Sequence, residues 1–180
     1  MNVFHINGIS ILLLLFFDRL SVGKASSVII QAGELKYNHK YFENFNMSII
    51  NNTVNLDMII RKPLTRGFKS HIDFSISLGK SKHYQSVFAH IIDVCGVVTA
   101  IKSNIFKSWF QSMLENGNFM YNCPVPEGHY FLRNWKLDSS LVPQYLYAGD
   151  YRISCHLFFG KLKTKHEDFV VDLIFFALLK

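Results

Sequence analysis

Residues 41–60 read YFENFNMSIINNTVNLDMII, and this stretch predicts a β-hairpin. Apolar side chains recur at every second position on both sides of a polar centre, as they do when one face of a strand is buried and the other is hydrated. The polar centre, residues 50–53, has the composition of a tight turn. The two flanking segments therefore pair as antiparallel strands, with their apolar faces turned to the same core.

The same alternation continues along most of the chain. It resumes after Pro63, returns over His129–Trp135 and Tyr151–Phe159, and ends with Phe169–Leu179. About seven to nine short strands with hairpin signals predict a mostly β protein, an immunoglobulin-like antiparallel β-sandwich of two sheets. The candidate ligand-cavity residues lie on the predicted inner faces: Phe45, Met47, Leu56, Met58, Phe74, Ile76, Tyr151, Ile153, Leu157 and Phe159.

One segment in the middle of the chain departs from the strand period. Residues 84–94 are apolar on both faces, which is typical of a central strand. The apolar residues that follow recur at three and four positions, and Trp109, Phe110 and Met113 continue this spacing. We therefore expect one amphipathic helix from about Val98 to Asn116, with its apolar stripe on the sheet.

The N-terminal segment predicts secretion. Residues 9–17 form an apolar run of signal-peptide length, whereas a helix that spans a bilayer needs about 20 residues. Small residues follow, so we expect cleavage after residue 23, with residue 25 as the alternative. Residues 26–180 are then one secreted, extracellular domain without a transmembrane segment in the mature chain. In such a protein the patterns at Asn46 and Asn51 are candidate N-glycosylation sites, and both fall on the polar face or the turn of the first hairpin.

Three cysteines are available for disulfides in an oxidising compartment. Cys95 and Cys123 bracket the predicted helix, and a bridge between them would stabilise the fold by about 3.5 kcal/mol in the chain-entropy model. Cys155 falls on a predicted inner face, which favours an inert core thiol. An intermolecular bridge or a different pairing is the alternative for Cys155.

Composition and motifs narrow the function classes. The net charge is +6, but the basic residues are scattered, and their densest cluster, residues 161–166, falls in a predicted hairpin loop. We therefore expect no nucleic-acid partner. The sequence contains no motif of a serine hydrolase, a zinc protease or a phosphate-binding loop, and its histidines lack metal-ligand spacing. We expect neither enzymatic activity, nor a cofactor, nor a metal.

Several short motifs then point to a family. They are Asp93-Val94-Cys95, Asn122-Cys123-Pro124, Glu127-Gly128-His129-Tyr130, Pro143 and Gly149-Asp150-Tyr151-Arg152-Ile153. In this order they resemble a secreted insect family of uncharacterised domains that is expanded in fruit flies and related to chemosensory protein B. They are also similar to the ML lipid-recognition fold, particularly the ganglioside activator protein.

The resemblance implies a cup-shaped sandwich that holds a lipid or another hydrophobic molecule between its sheets. It also implies a disulfide between Cys95 and Cys123, in agreement with their positions around the helix. The activator proteins carry further disulfides, including one that ties the chain ends, and this sequence lacks the cysteines for them. Cys155 has no partner in that scheme. Because of these departures, the resemblance does not establish the wide cavity mouth of the activator proteins for this chain.

Two functions follow from these features. The first is a secreted, non-enzymatic protein that binds a lipid or another small hydrophobic molecule, in chemosensory or pheromone-related signalling. The second is an extracellular interaction module with a filled core, which binds a receptor through its surface and carries no ligand. Both need the same alternation of apolar residues, so the discriminating observation is the volume between the sheets: ligand pockets measure roughly 300–1,000 Å³.

Overall fold

The structure, a computed structural model, describes residues 27–77, 83–99, 105–118, 122–142 and 146–180. The predicted signal peptide, residues 1–23 or 1–25, lies outside the described residues, as does Pro143. Strands dominate the described part of the chain: β1 Val28–Tyr37, β2 Phe42–Ile50, β3 Thr53–Ile60, β4 Lys69–Ser77, β5 Tyr84–Asp93, β6 Gly128–Trp135, β7 Gly149–Phe159 and β8 Asp168–Leu179. Two helices, α1 Val94–Thr99 and α2 Ile105–Leu114, and a 3₁₀ turn, Ser139–Leu141, accompany them.

The strands form two antiparallel sheets, which confirms the predicted mostly β sandwich. The larger sheet has the order β1-β8-β7-β4-β5, and the smaller one has the order β2-β3-β6. Strands β2 and β3 come from the stretch of residues 41–60 and pair from Phe42↔Ile60 to Ile50↔Thr53. The apolar faces of the two sheets form one core between them.

The hairpin between β2 and β3 turns as its sequence predicts. Asn51 and Asn52 have φ angles of 49° and 63°, and asparagine tolerates this left-handed region better than most residues do. The side chain of Asn52 then reaches β1 in the other sheet. Its Oδ1 accepts the N–H of Ile30 at 2.5 Å, and its Nδ2 donates to the carbonyl of Val28 at 3.0 Å. The turn therefore also fastens the two sheets together.

Two strands differ from the sequence-based expectations. Strand β1 was not predicted, because Ala32 and Gly33 interrupt its apolar alternation; it nevertheless pairs with β8 from Val28↔Leu179 to Tyr37↔Val171. Strand β5 is not a central strand but ends the larger sheet, next to β4. Its Val87 and Ile91 are about half exposed.

The helical region begins earlier than predicted. Helix α1 starts at Val94, directly after β5, and α2 ends at Leu114, near the predicted end. Residues 100–104 of the predicted helix lie outside the described residues, so α1 and α2 are treated as separate elements. Neither of these helices has the length and apolarity needed to cross a membrane.

The predicted disulfide between Cys95 and Cys123 is confirmed, and their Cα atoms are 5.4 Å apart. It joins the first turn of α1 to the segment before β6. Because the bridge closes a loop that contains α2, it limits how far this helix can move from the sheets.

Candidate functional site

A cavity of about 180 Å³ lies between the two sheets, below helix α2. Residues from both sheets, both helices and the segment after β6 form its wall. These are Ile30, Val54, Leu56, Ser70, Ile72, Phe74, Ile92, Val94, Val97, Trp109, Phe110, Met113, Trp135, Leu137, Ile153, Cys155, Leu157, Leu173 and Phe175. The inner faces of β4, β7 and β8 supply the wall on the larger sheet, and β3 and β6 supply the facing wall.

Two tryptophans fix helix α2 and the edge of the cavity. The indole N–H of Trp109, on α2, donates to the carbonyl of Leu141. The indole N–H of Trp135, at the end of β6, donates to the hydroxyl of Ser112 on α2 at 3.0 Å. Each ring can therefore turn its apolar surface to the cavity while its polar atom has a partner.

The cavity wall is apolar almost throughout. Besides the tryptophan N–H groups, its polar groups are the hydroxyl of Ser70 and the thiol of Cys155. Cys155 is the free cysteine. Burial raises the pKa of its thiol to about 12, so the group stays protonated and uncharged at neutral pH. Part of its surface remains accessible because it borders the cavity. The wall carries no charged side chain and suits an uncharged, apolar occupant.

The sequence-predicted cavity residues divide into two groups. Leu56, Phe74, Ile153 and Leu157 line the cavity. The others are placed elsewhere in the sandwich: Phe45, Met47, Met58, Ile76, Tyr151 and Phe159. Alternation identifies the face of a strand on which a residue lies, but not whether the opposite sheet fills the space in front of it.

Phe45 and Phe159 belong to a region that we call the aromatic end. It contains Tyr37, Tyr41, Phe42, Phe45, Phe68 and Phe159. Ring centroids lie 5.0 Å apart for Phe42 and Phe45, and 5.4 Å apart for Phe68 and Phe159. These spacings are those of rings in contact, so side chains rather than empty space occupy this end.

The remaining predicted residues also have protein neighbours. A Cβ atom added to Gly33 of β1 would come within 2.8 Å of the end of Met47, so this side chain lies where β1 and β2 approach each other. Ile76 and Tyr151 are register partners on β4 and β7, far from the aromatic end. Met58 is fully buried in the core.

Three features of the site were not assigned to it from the sequence. The helix residues Trp109, Phe110 and Met113 were expected to pack on the sheet, and the same spacing could have marked them as cavity residues. Ile30 was missed together with β1. Ser70 was missed because it is polar, although it falls in the inward-facing series between Phe68 and Ile72.

Charged groups cluster outside the cavity. On the larger sheet, His156 lies between two carboxylates: Nδ1 is 2.5 Å from Asp172, and Nε2 is 2.9 Å from Glu167. Hydrogen bonds lower the pKa of the Glu167 carboxyl. The larger effect comes from the backbone N–H of Lys163, and the smaller one from His156. The described residues contain no group of three His, Cys, Asp or Glu side chains arranged to hold a metal ion.

The candidate glycosylation sites are on the surface. Asn46 is exposed on the outer face of β2, and Asn51 is exposed in the hairpin turn. Glycosylation at both positions remains a prediction. Attachment at Asn51 leaves the sheet-bridging hydrogen bonds intact, because these are made by the neighbouring Asn52.

The fold and the site define a β-sandwich domain with an apolar cavity below a disulfide-anchored helix. Residues 70–153 match the model of a protein family described as a protein of unknown function, DUF1091. The matched region runs from β4 to the middle of β7 and includes both helices and both disulfide cysteines. No curated protein matches the chain.

Proposed function

We propose that this protein is a secreted, non-enzymatic binder of a small hydrophobic molecule, which it holds in the cavity between its sheets. The observation that carries the proposal is the cavity itself, about 180 Å³ of space with an apolar wall. Tightly packed interiors contain few voids larger than a water molecule, so space of this size is unusual and can hold a small apolar molecule. Secretion is supported by the disulfide, which persists in oxidising compartments.

The volume limits the size of the occupant. The cavity of about 180 Å³ is smaller than the roughly 300–1,000 Å³ of pockets for drug-sized ligands, but it is larger than an apolar cavity of about 150 Å³ that accepts benzene or xenon. We therefore propose a molecule with about six to eight non-hydrogen atoms inside the cavity, and not a whole membrane lipid. The resemblance to relatives of chemosensory protein B suggests chemosensory or pheromone-related signalling as the setting.

The expected affinity follows from the same size. Burial of about six carbon atoms at roughly 0.8 kcal/mol each gives about 5 kcal/mol. This free energy corresponds to a dissociation constant of about 0.2 mM. Extra affinity would come from a ligand that is longer than the cavity and contacts the segments around it.

Benzene and xenon are the probes that test the proposal. We expect benzene to bind the full secreted chain with submillimolar to millimolar affinity, measured by NMR titration, and to raise its melting temperature. Cys155→Leu should weaken benzene binding at least tenfold, because the larger side chain extends into the cavity. Cys155→Ala is the matched control: it also removes the thiol but leaves the space free. Absence of binding of both probes to the wild-type protein would refute the proposal.

The interaction module remains the second candidate, and strand β5 favours it. Val87 and Ile91 are 47% and 46% exposed on β5, the last strand of the larger sheet in the described part of the chain. A receptor could contact these exposed apolar side chains. Benzene titration of the full secreted chain separates the two candidates, because a cavity binder takes up the probe and a module with a filled core does not.

A further inference from the structure

We infer that Ser70 selects the ligand by its chemistry: the cavity takes an uncharged hydrocarbon molecule that carries one hydrogen-bonding oxygen, which contacts the Ser70 hydroxyl. This inference rests on the proposed function and makes it more specific. It names the class of the ligand, a small monofunctional alcohol, ketone, aldehyde or ester, and the residue that recognises it.

Ser70 occupies a buried position in the cavity wall. It lies on the inward-facing side of β4, between Phe68 and Ile72, and lines the cavity. Only 5% of its surface is exposed. Its register partners on the neighbouring strands are Ile92 and Leu157, which are apolar and line the same cavity. A hydroxyl at this depth is costly unless it has a hydrogen-bond partner.

The Ser70 hydroxyl also lacks a hydrogen-bond partner in the described part of the chain. It makes no hydrogen bond with another residue among those that the structure describes. Of the fully occluded side-chain polar atoms in the same residues, Arg152 Nε is the one without a partner. The oxygen of Ser70 is therefore not occluded, and since the residue lines the cavity, this oxygen borders the empty space.

The other polar groups near the cavity differ in this respect. The indole N–H groups of Trp109 and Trp135 donate to Leu141 and Ser112. The second buried serine of β4, Ser75, donates its hydroxyl to Asp73 at 2.9 Å. Ser70 thus differs from them as a buried hydroxyl that lines the cavity and has no partner among the described residues. A ligand oxygen placed there would satisfy it.

The rest of the wall restricts what the ligand can carry. A carboxylate or an ammonium group would lose its hydration without an oppositely charged side chain in the cavity wall. A second polar group would meet apolar side chains or the thiol of Cys155, which is only a weak hydrogen-bonding group. One neutral oxygen at the position of Ser70, on an otherwise hydrocarbon skeleton, fits all the lining residues.

Benzyl alcohol and ethylbenzene test this inference. They have the same number of non-hydrogen atoms and differ in a hydroxyl in place of a methyl group. The affinity ratio of the two probes is measured by NMR titration for the wild-type protein, Ser70→Ala, Ser70→Thr and Ser75→Ala. Comparison of ratios cancels the different costs of removing the two probes from water.

We expect Ser70→Ala to shift the ratio about 3- to 10-fold against benzyl alcohol, which corresponds to one net hydrogen bond. Ser70→Thr keeps the hydroxyl and should keep the ratio, and Ser75→Ala should leave it unchanged. If both probes bind and Ser70→Ala has the wild-type ratio, the inference is refuted while the proposed function stands. If neither probe binds the wild-type protein, both are refuted. An equal shift in Ser75→Ala would also overturn the inference, because the effect would not be specific to Ser70.

Discussion

The aromatic end and the cavity lie in the same core and share strands, but they are filled differently. Phe68 and Phe74 illustrate this: Phe68 directly precedes β4, Phe74 lies on its inward-facing side, and both are about 1% exposed. Phe68 contacts Phe159 in the aromatic end, whereas Phe74 has Phe88 and Trp109 as ring neighbours and borders the cavity. The comparison shows that side chains can fill one end of a sandwich core while space remains further along the same sheet.

The difference arises from what each end has opposite the larger sheet. At the aromatic end, the smaller sheet supplies Phe42 and Phe45, whose large rings reach the interior. Over the cavity, helix α2 takes part in the covering layer. The side chains of α2 that reach the cavity, Trp109, Phe110 and Met113, line it without filling it. The unfilled space remains where they do not reach.

The largest change in stability is expected when Phe68 or Phe74, one residue from each region, is truncated. We expect Phe68→Ala to lower the free energy of unfolding by about 3–5 kcal/mol, because it leaves a new cavity among rings in contact. Phe74→Ala should cost at least about 1 kcal/mol less, since part of its ring already borders empty space and has fewer contacts to lose. Urea unfolding of both variants measures the difference. Equal costs would mean that the two ends are packed alike.

The disulfide gives the second test. Replacement of both Cys95 and Cys123 by serine should lower the free energy of unfolding by about 3.5 kcal/mol. Because the bridge closes the loop that contains α2, hydrogen exchange should accelerate most at the backbone amides of Trp109 and its neighbours on α2. Exchange in β8, which lies within the larger sheet, should change less. A uniform increase along the chain would contradict a local role for the disulfide.

The smallest change in stability is expected when one methylene group is added to a buried valine, either at the cavity or away from it. Val54 lines the cavity and Val170 does not, and both are fully buried. Val54→Ile should raise the free energy of unfolding by about 0.8 kcal/mol, because the added group fills free space. Val170→Ile should lower it by about 1–3 kcal/mol through overpacking. The two changes are measured by urea unfolding, and the same sign for both would argue against a cavity at Val54.

Much of the fold could be predicted from the sequence, since alternation over residues 41–60 depends only on neighbouring positions. The hairpin, the turn-rich stretch at residues 50–53 and the sandwich class were predicted in this way. The positions of Cys95 and Cys123 around a predicted helix favoured their disulfide, and the family resemblance implied it. Strand β1 escaped prediction because Ala32 and Gly33 do not alternate with polar residues. The edge position of β5 was not predicted, because a sequence does not distinguish apolar residues that are exposed from those that are buried.

The sequence by itself determined which side chains point inward, because that property is set by the two-residue period of a strand. Only the tertiary structure decided which of these side chains meet a partner and which border a cavity. Leu56 and Met58 share one face of β3, yet Leu56 lines the cavity and Met58 does not. The physical reason is that packing depends on the distance to the opposite layer, and that distance is fixed by residues far away in the chain.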